Sequence, residues 1–138
     1  MIDGFWTSIF ILLQGFYIFV GTWPVSVVLL AFIAVAFQAT RVKPTWYHAS
    51  ESLILLVFPF GIIVTGGFCW HSGTVASAPI IPNLFVGFLL CLQVICCLAL
   101  IYVRKDFRLL TASISLVVVW ITLIYWFIAG MALTNSWL

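Results

Sequence analysis

Three tracts without a single Asp, Glu, Lys or Arg make up most of this sequence: residues 4–40, 52–103 and 109–138. Apolar side chains run through them almost unbroken. A helix needs roughly 20 such residues to cross a bilayer, so the tracts accommodate up to two, two and one crossings. The pattern predicts an all-α fold: a polytopic integral membrane helical bundle of four or five transmembrane helices, with short loops and no soluble domain. It forms one transmembrane domain over residues 1–138.

Breaker residues divide the tracts into elements. Helices are expected at about 5–21, 24–40, 50–70, 84–103 and 108–132. Residues 71–83 hold His71, Ser72, Gly73, Pro79, Pro82 and Asn83 and read as a loop. The N-terminal tract is the hardest to divide. As one helix, residues 5–38 would be about 50 Å long, too much for a single crossing of an approximately 30 Å core. Gly21-Thr22-Trp23-Pro24 offers a break, since Gly favours a helix end and Pro a helix start. A tight hairpin there gives five crossings with the N-terminus inside, and an interfacial or re-entrant first helix gives four with it outside. Small or polar pairs recur every seven residues at Thr7/Ser8, Gln14/Gly15 and Gly21/Thr22. That neutral face suits packing against another helix better than the cationic face of an interfacial helix, so five crossings are preferred.

Charge orients the elements. Only 6% of residues are charged, against about 25% in soluble domains, and this composition cannot cover a water-facing surface. All five cationic side chains fall in two segments, Arg41 and Lys43, then Arg104, Lys105 and Arg108. Two crossings separate the segments, so both face the same side, which is cytoplasmic by the positive-inside rule. The loop at 71–83 and the C-terminus are then outside. Met1-Ile2-Asp3-Gly4 has no basic n-region, so insertion through the first apolar segment is expected rather than a cleaved signal. A net charge of +2, confined to two turns, gives no footprint for nucleic acid.

Helices associate in lipid through small and polar residues. The last helix carries such a stripe at Thr111, Ser115, Val118, Thr122, Tyr125, Ala129 and Ala132, with alternating four and three spacing. Gly61, Thr65 and Cys69 form a shorter one above Pro59, where a kink is expected. These faces, chiefly Thr111, Ser115, Thr122, Ala129, Gly61 and Thr65, serve bundle packing or an oligomer interface. Gln14, Gln38 and Gln93 are the strongest polar groups within crossings. They read as interhelical hydrogen-bonding residues, with Gln14 and Gln93 the leading intramembrane contacts.

Chemistry is sparse. No charged residue lies inside a crossing, which counts against an ion-coupled pump or transporter. His48 and Glu51 share a helix face, but two ligands do not complete a metal site; Glu51 also suits the first turn of a helix. His71 lies about 34 Å further along a helix, too far to share one haem or metal with His48. Cys91, Cys96 and Cys97 lie in one apolar helix and Cys69 near the outer boundary, where a thiol behaves as a small hydrophobe. Trp23, Trp46, Tyr47, Trp70, Tyr102 and Trp137 fall at predicted interfaces, as an aromatic belt requires; Trp120 and Trp126 are deeper. No phosphate loop, nucleophile elbow or zinc-protease motif is present, and no catalytic residue, cofactor or metal is expected.

The expected function is that of a non-catalytic integral membrane subunit. It anchors, senses or assembles, as a homo-oligomer or with a cytosolic or membrane partner, in a cell or inner membrane. Arg41, Lys43, Arg104, Lys105 and Arg108 are the candidate surface for a cytosolic partner or anionic lipid. The alternative is a small oligomeric channel or carrier whose path runs between protomers, lined by Gln93 and the Thr/Ser stripe. A membrane redox subunit is the third and weakest reading.

Overall fold

The computed structural model describes residues 2–39, 54–69 and 80–134. Among these residues the chain is all-helical, with no strand. It comprises α1 (Ile2–Gly21), α2 (Trp23–Ala39), a 3-10 turn (Ile54–Leu56), α3 (Val57–Phe68), α4 (Ile80–Val103), a second 3-10 turn (Lys105–Phe107) and α5 (Arg108–Thr134). By length and composition, two segments are able to cross a membrane: Ile80–Val103, and Lys105–Thr134 including the turn. The α1–α2 pair passes only when its two bent arms are taken together, and Ile54–Phe68 is a shorter apolar helix.

The expected break in the N-terminal tract is present, and its chemistry is local. The Thr22 N–H still closes a helical bond to the Ile18 carbonyl at 2.8 Å. Pro24 then brings no N–H, so the ladder cannot continue through it. Hydroxyls fold back on the last turn of α1: Thr22 Oγ1 adds a second bond to Ile18 O at 2.9 Å, and Ser26 Oγ reaches back across the break to donate to Phe19 O at 3.1 Å. Val25 N–H and Ser26 N–H restart the ladder on the Thr22 carbonyl. The two arms meet at 81°, about midway between a straight helix and a closed hairpin.

Two boundaries differ from the sequence reading. The helix expected from residue 84 begins at Ile80, so residues 80–83 leave the loop and Pro82 sits in the first turn. First-turn N–H groups have no intrahelical acceptor, so a proline there disrupts nothing. The same reason disposes of the expected kink at Pro59. The backbone passes from the 3-10 turn into α3 at Val57, which places Pro59 in the opening turn of the α-helix rather than mid-helix. The remaining parts of the expected 50–70 helix and 71–83 loop lie outside the described residues.

α5 is the hub. It packs against α1, α2, α3 and α4, and α3 also packs against α1 and α4. Its inward side is the stripe of small and polar residues: Thr111, Ser115, Val118, Thr122, Ala129 and Ala132 are all buried, and Tyr125 is half-buried. The large apolar side chains point outward instead, among them Phe32 and Val35 on α2, Leu84, Phe88 and Ile95 on α4, and Leu116 and Phe127 on α5. This inside-out arrangement follows from a solvent as apolar as the side chains themselves: only close backbone approach favours one face over another.

Shared clusters give the helix directions. Gly66 on α3 meets Ala129 and Ile11, while Gly15, one turn after Ile11, meets Tyr125, one turn before Ala129. α1 is therefore antiparallel to α5. Leu55 clusters with Val118, and Ile62 with Ala129, so α3 runs parallel to α5. The short turn after Val103 makes α4 antiparallel to both.

Candidate functional site

Three glycines set how closely α1, α3 and α5 approach. A Cβ on Gly66 would stand 2.8 Å from Ala129 Cβ and 3.2 Å from both Ala129 Cα and Ile11 Cδ1. On Gly67 it would collide with the Ser8 side chain and backbone, and on Gly15 with the Tyr125 ring. Thus Ser8 and Gly15, members of the seven-residue repeat, lie at helix contacts, and Tyr125 Oη donates to the Leu12 carbonyl at 3.4 Å. Residue spacing pointed to Gly61 and Thr65, which are half-buried, with the Thr65 hydroxyl bonded to Gly61 O at 2.8 Å within α3. Gly66 and Gly67 were missed, although a Gly-Gly pair inside an apolar helix is a signal of close approach.

The polar groups within the bundle separate into satisfied and unsatisfied ones. Ser113 and Thr122 donate to the carbonyls four residues earlier, at 2.8 and 2.7 Å. Gln93 is fully buried, and neither its Nε2 nor its Oε1 has a hydrogen-bond partner. Ser115 Oγ, Gln14 Oε1 and Trp120 Nε1 are likewise buried and unpaired. The interhelical hydrogen bonds expected of Gln14 Oε1 and Gln93 are therefore not formed between protein groups, and Gln38 is exposed. An amide buried unpaired costs about 2–7 kcal/mol, depending on the reference state. The Cys97 thiol faces the Ser115 hydroxyl without satisfying it.

Gln93 and the Thr/Ser stripe lie within the chain's own bundle, not at its outer surface. An apolar groove of about 210 Å³ runs instead between α1 and α5, lined by Gly15, Phe16, Phe19, Ile121, Ile124 and Tyr125.

The cationic residues lie at one end of the α4–α5 pair. Arg104 is half-buried; Lys105, Asp106 and Arg108 are exposed in and beside the 3-10 turn. The turn is closed by Arg104 N–H on Leu100 O at 3.0 Å and Phe107 N–H on Arg104 O at 3.3 Å. Arg41, Lys43, His48, Glu51 and His71 lie outside the described residues. Among those described, no three His, Cys, Asp or Glu side chains gather as metal ligands, and Cys69, Cys91, Cys96 and Cys97 are free thiols.

Comparisons with protein-family models, with curated proteins and with solved structures find no match to this chain. The class rests on its own physics: the described residues are all-helical, with two helices long and apolar enough to cross a membrane and an apolar exterior.

Proposed function

We propose that the protein is a non-catalytic integral membrane subunit that docks a partner or anionic lipid through the turn between α4 and α5. The observation that carries this reading is the division of its surface. Among the described residues, large apolar side chains cover the exterior of the helices, whereas the exposed charges Lys105, Asp106 and Arg108 gather at one end. Such a clustered basic turn beside a membrane attracts anionic headgroups by about 1 kcal/mol per cation, or an acidic protein surface. Reversing Arg104, Lys105 and Arg108 to Glu should abolish co-purification of the partner and weaken binding to anionic lipid. Retention of both by correctly inserted protein refutes the reading.

The bundle crosses four times in this reading, not five. With the basic turn cytoplasmic, α5 and α3 run outward and α4 inward. α1, antiparallel to α5, runs inward too, so the chain starts outside. α1 ends level with Ile121, where Phe19 and Ile121 line one groove. α5 continues for residues 108–120, about 20 Å, and α2 packs against α5. We read α1 and α2 together as one broken crossing, bent by 81° at Thr22 so that α2 runs obliquely over α5. Cysteines placed at Phe5 and Asp106, in a background without native cysteines, should label from opposite sides of the membrane. Labelling from the same side restores the five-crossing arrangement.

The channel reading needs Gln93 and the Thr/Ser stripe at a surface between protomers. Their burial inside one chain lends it no support.

A further inference from the structure

Gln93 and Thr122 occupy the same level of the bundle. Cys97, Val118 and Leu55 form one buried cluster, and Val86, Ala129 and Ile62 form the next. Gln93 lies one turn from Cys97 and two from Val86, and Thr122 lies one turn from Val118 and two from Ala129. The register therefore sets Gln93 opposite Thr122, and both side chains are 0% exposed. Thr122 commits its proton to the Val118 carbonyl, which leaves its oxygen as an acceptor. α3 brings the buried Pro59 between Leu55 and Ile62, and a proline offers no N–H. Two amide atoms on Gln93 and one oxygen on Thr122 are thus left to a small molecule that both donates and accepts.

We propose that this is a hydration site: a water molecule held between α4 and α5 donates to Thr122 Oγ1 and Gln93 Oε1, and neighbouring water accepts from Gln93 Nε2. A buried water typically makes about three hydrogen bonds; Thr122 Oγ1, Gln93 Oε1 and the neighbouring water supply that number. Toward the basic turn the seam holds the buried cluster of Cys97, Val118 and Leu55, with the buried hydroxyls of Thr111 and Ser115 beyond it, and Ser115 Oγ is itself unpaired. Toward the other end Ala129, Val86, Ile62 and Leu133 close it with apolar side chains.

The test is water-edited solid-state NMR of the whole chain in lipid bilayers, with Gln side-chain amides labelled and Gln93→Met identifying the resonance. Single substitutions at Gln14 and Gln38 assign it by elimination if Gln93→Met does not fold. The exposed Asp106 amide serves as the hydrated control and the buried Val86 methyls as the dry one. The Gln93 amide should receive water magnetisation as the Asp106 amide does, and Thr122→Val should slow that transfer. A Gln93 amide as dry as Val86, or transfer unchanged in Thr122→Val, overturns the site.

Discussion

Substituting alanine for Gly66 isolates the close approach of α3 to α5 with a single methyl group. The new Cβ would stand 2.8 Å from Ala129 Cβ and 3.2 Å from Ala129 Cα, whereas carbon atoms pack best at about 3.5–4.0 Å. The nearest obstacles include backbone, and Ile11, which also meets the site, is itself fully buried. The helices must therefore separate by several tenths of an ångström or more. Overpacking of this kind costs about 1–3 kcal/mol. Against it stands the general preference of a helix for Ala over Gly, about 0.5–1 kcal/mol. Gly87 and Gly130 supply the control, because a Cβ at either meets nothing within 4 Å. The propensity gain is common to all three, so the difference between Gly66→Ala and Gly87→Ala isolates the packing term, about 1–3 kcal/mol. Reversible unfolding in mixed micelles, or steric trapping in bilayers, measures it. Gly66→Ala should be destabilised or neutral, while Gly87→Ala and Gly130→Ala gain stability. Equal stabilities for Gly66→Ala and Gly87→Ala would refute the close approach.

Further outcomes follow from the same contacts. Gly15→Ala should destabilise by a similar amount, about 1–3 kcal/mol, and Tyr125→Ala in the same chain should recover part of that loss, because the Tyr125 ring is the obstacle; additive effects in a double-mutant cycle would place the two residues apart. Ser26→Ala removes the hydroxyl that bonds Phe19 O across the break and should cost about 0.5–1.5 kcal/mol, read as a lower unfolding midpoint. Pro24→Ala restores a backbone N–H at the break, and spin labels on α1 and α2 should then report a wider angle between the arms than in the parent chain if the missing donor maintains the bend; an unchanged distance assigns the bend to packing against α5.

Much of the secondary structure was legible because its causes are local. Pro24 and the Gly21–Thr22 pair interrupt a helix by their own backbone chemistry, so the break at residue 22 was readable. The 3.5-residue spacing of Thr111, Ser115, Val118 and Thr122 lies within one helix, and those residues are buried. The start of α4 was misplaced by four residues because Pro82 and Asn83 read as breakers, although a first helical turn tolerates both. The glycine contacts were less legible. The Gly66–Gly67 pair signals a close approach, but not what arrives there; only the fold brings Ala129 and Ile11 against Gly66.

The sequence by itself determined an all-helical chain with membrane-length apolar segments, two basic markers and an inward-facing stripe, because hydropathy and helical period act over a few turns. Tertiary structure alone decided that α1 runs against α3 and α5, that the first two helices meet at 81°, and that Gln93 is sealed inside without a protein partner. The physical reason is that lipid leaves helix surfaces nearly equivalent. Which faces meet is then set by contacts between distant residues, such as Gly15 with Tyr125 and Gly66 with Ala129, whose pairing no local pattern records.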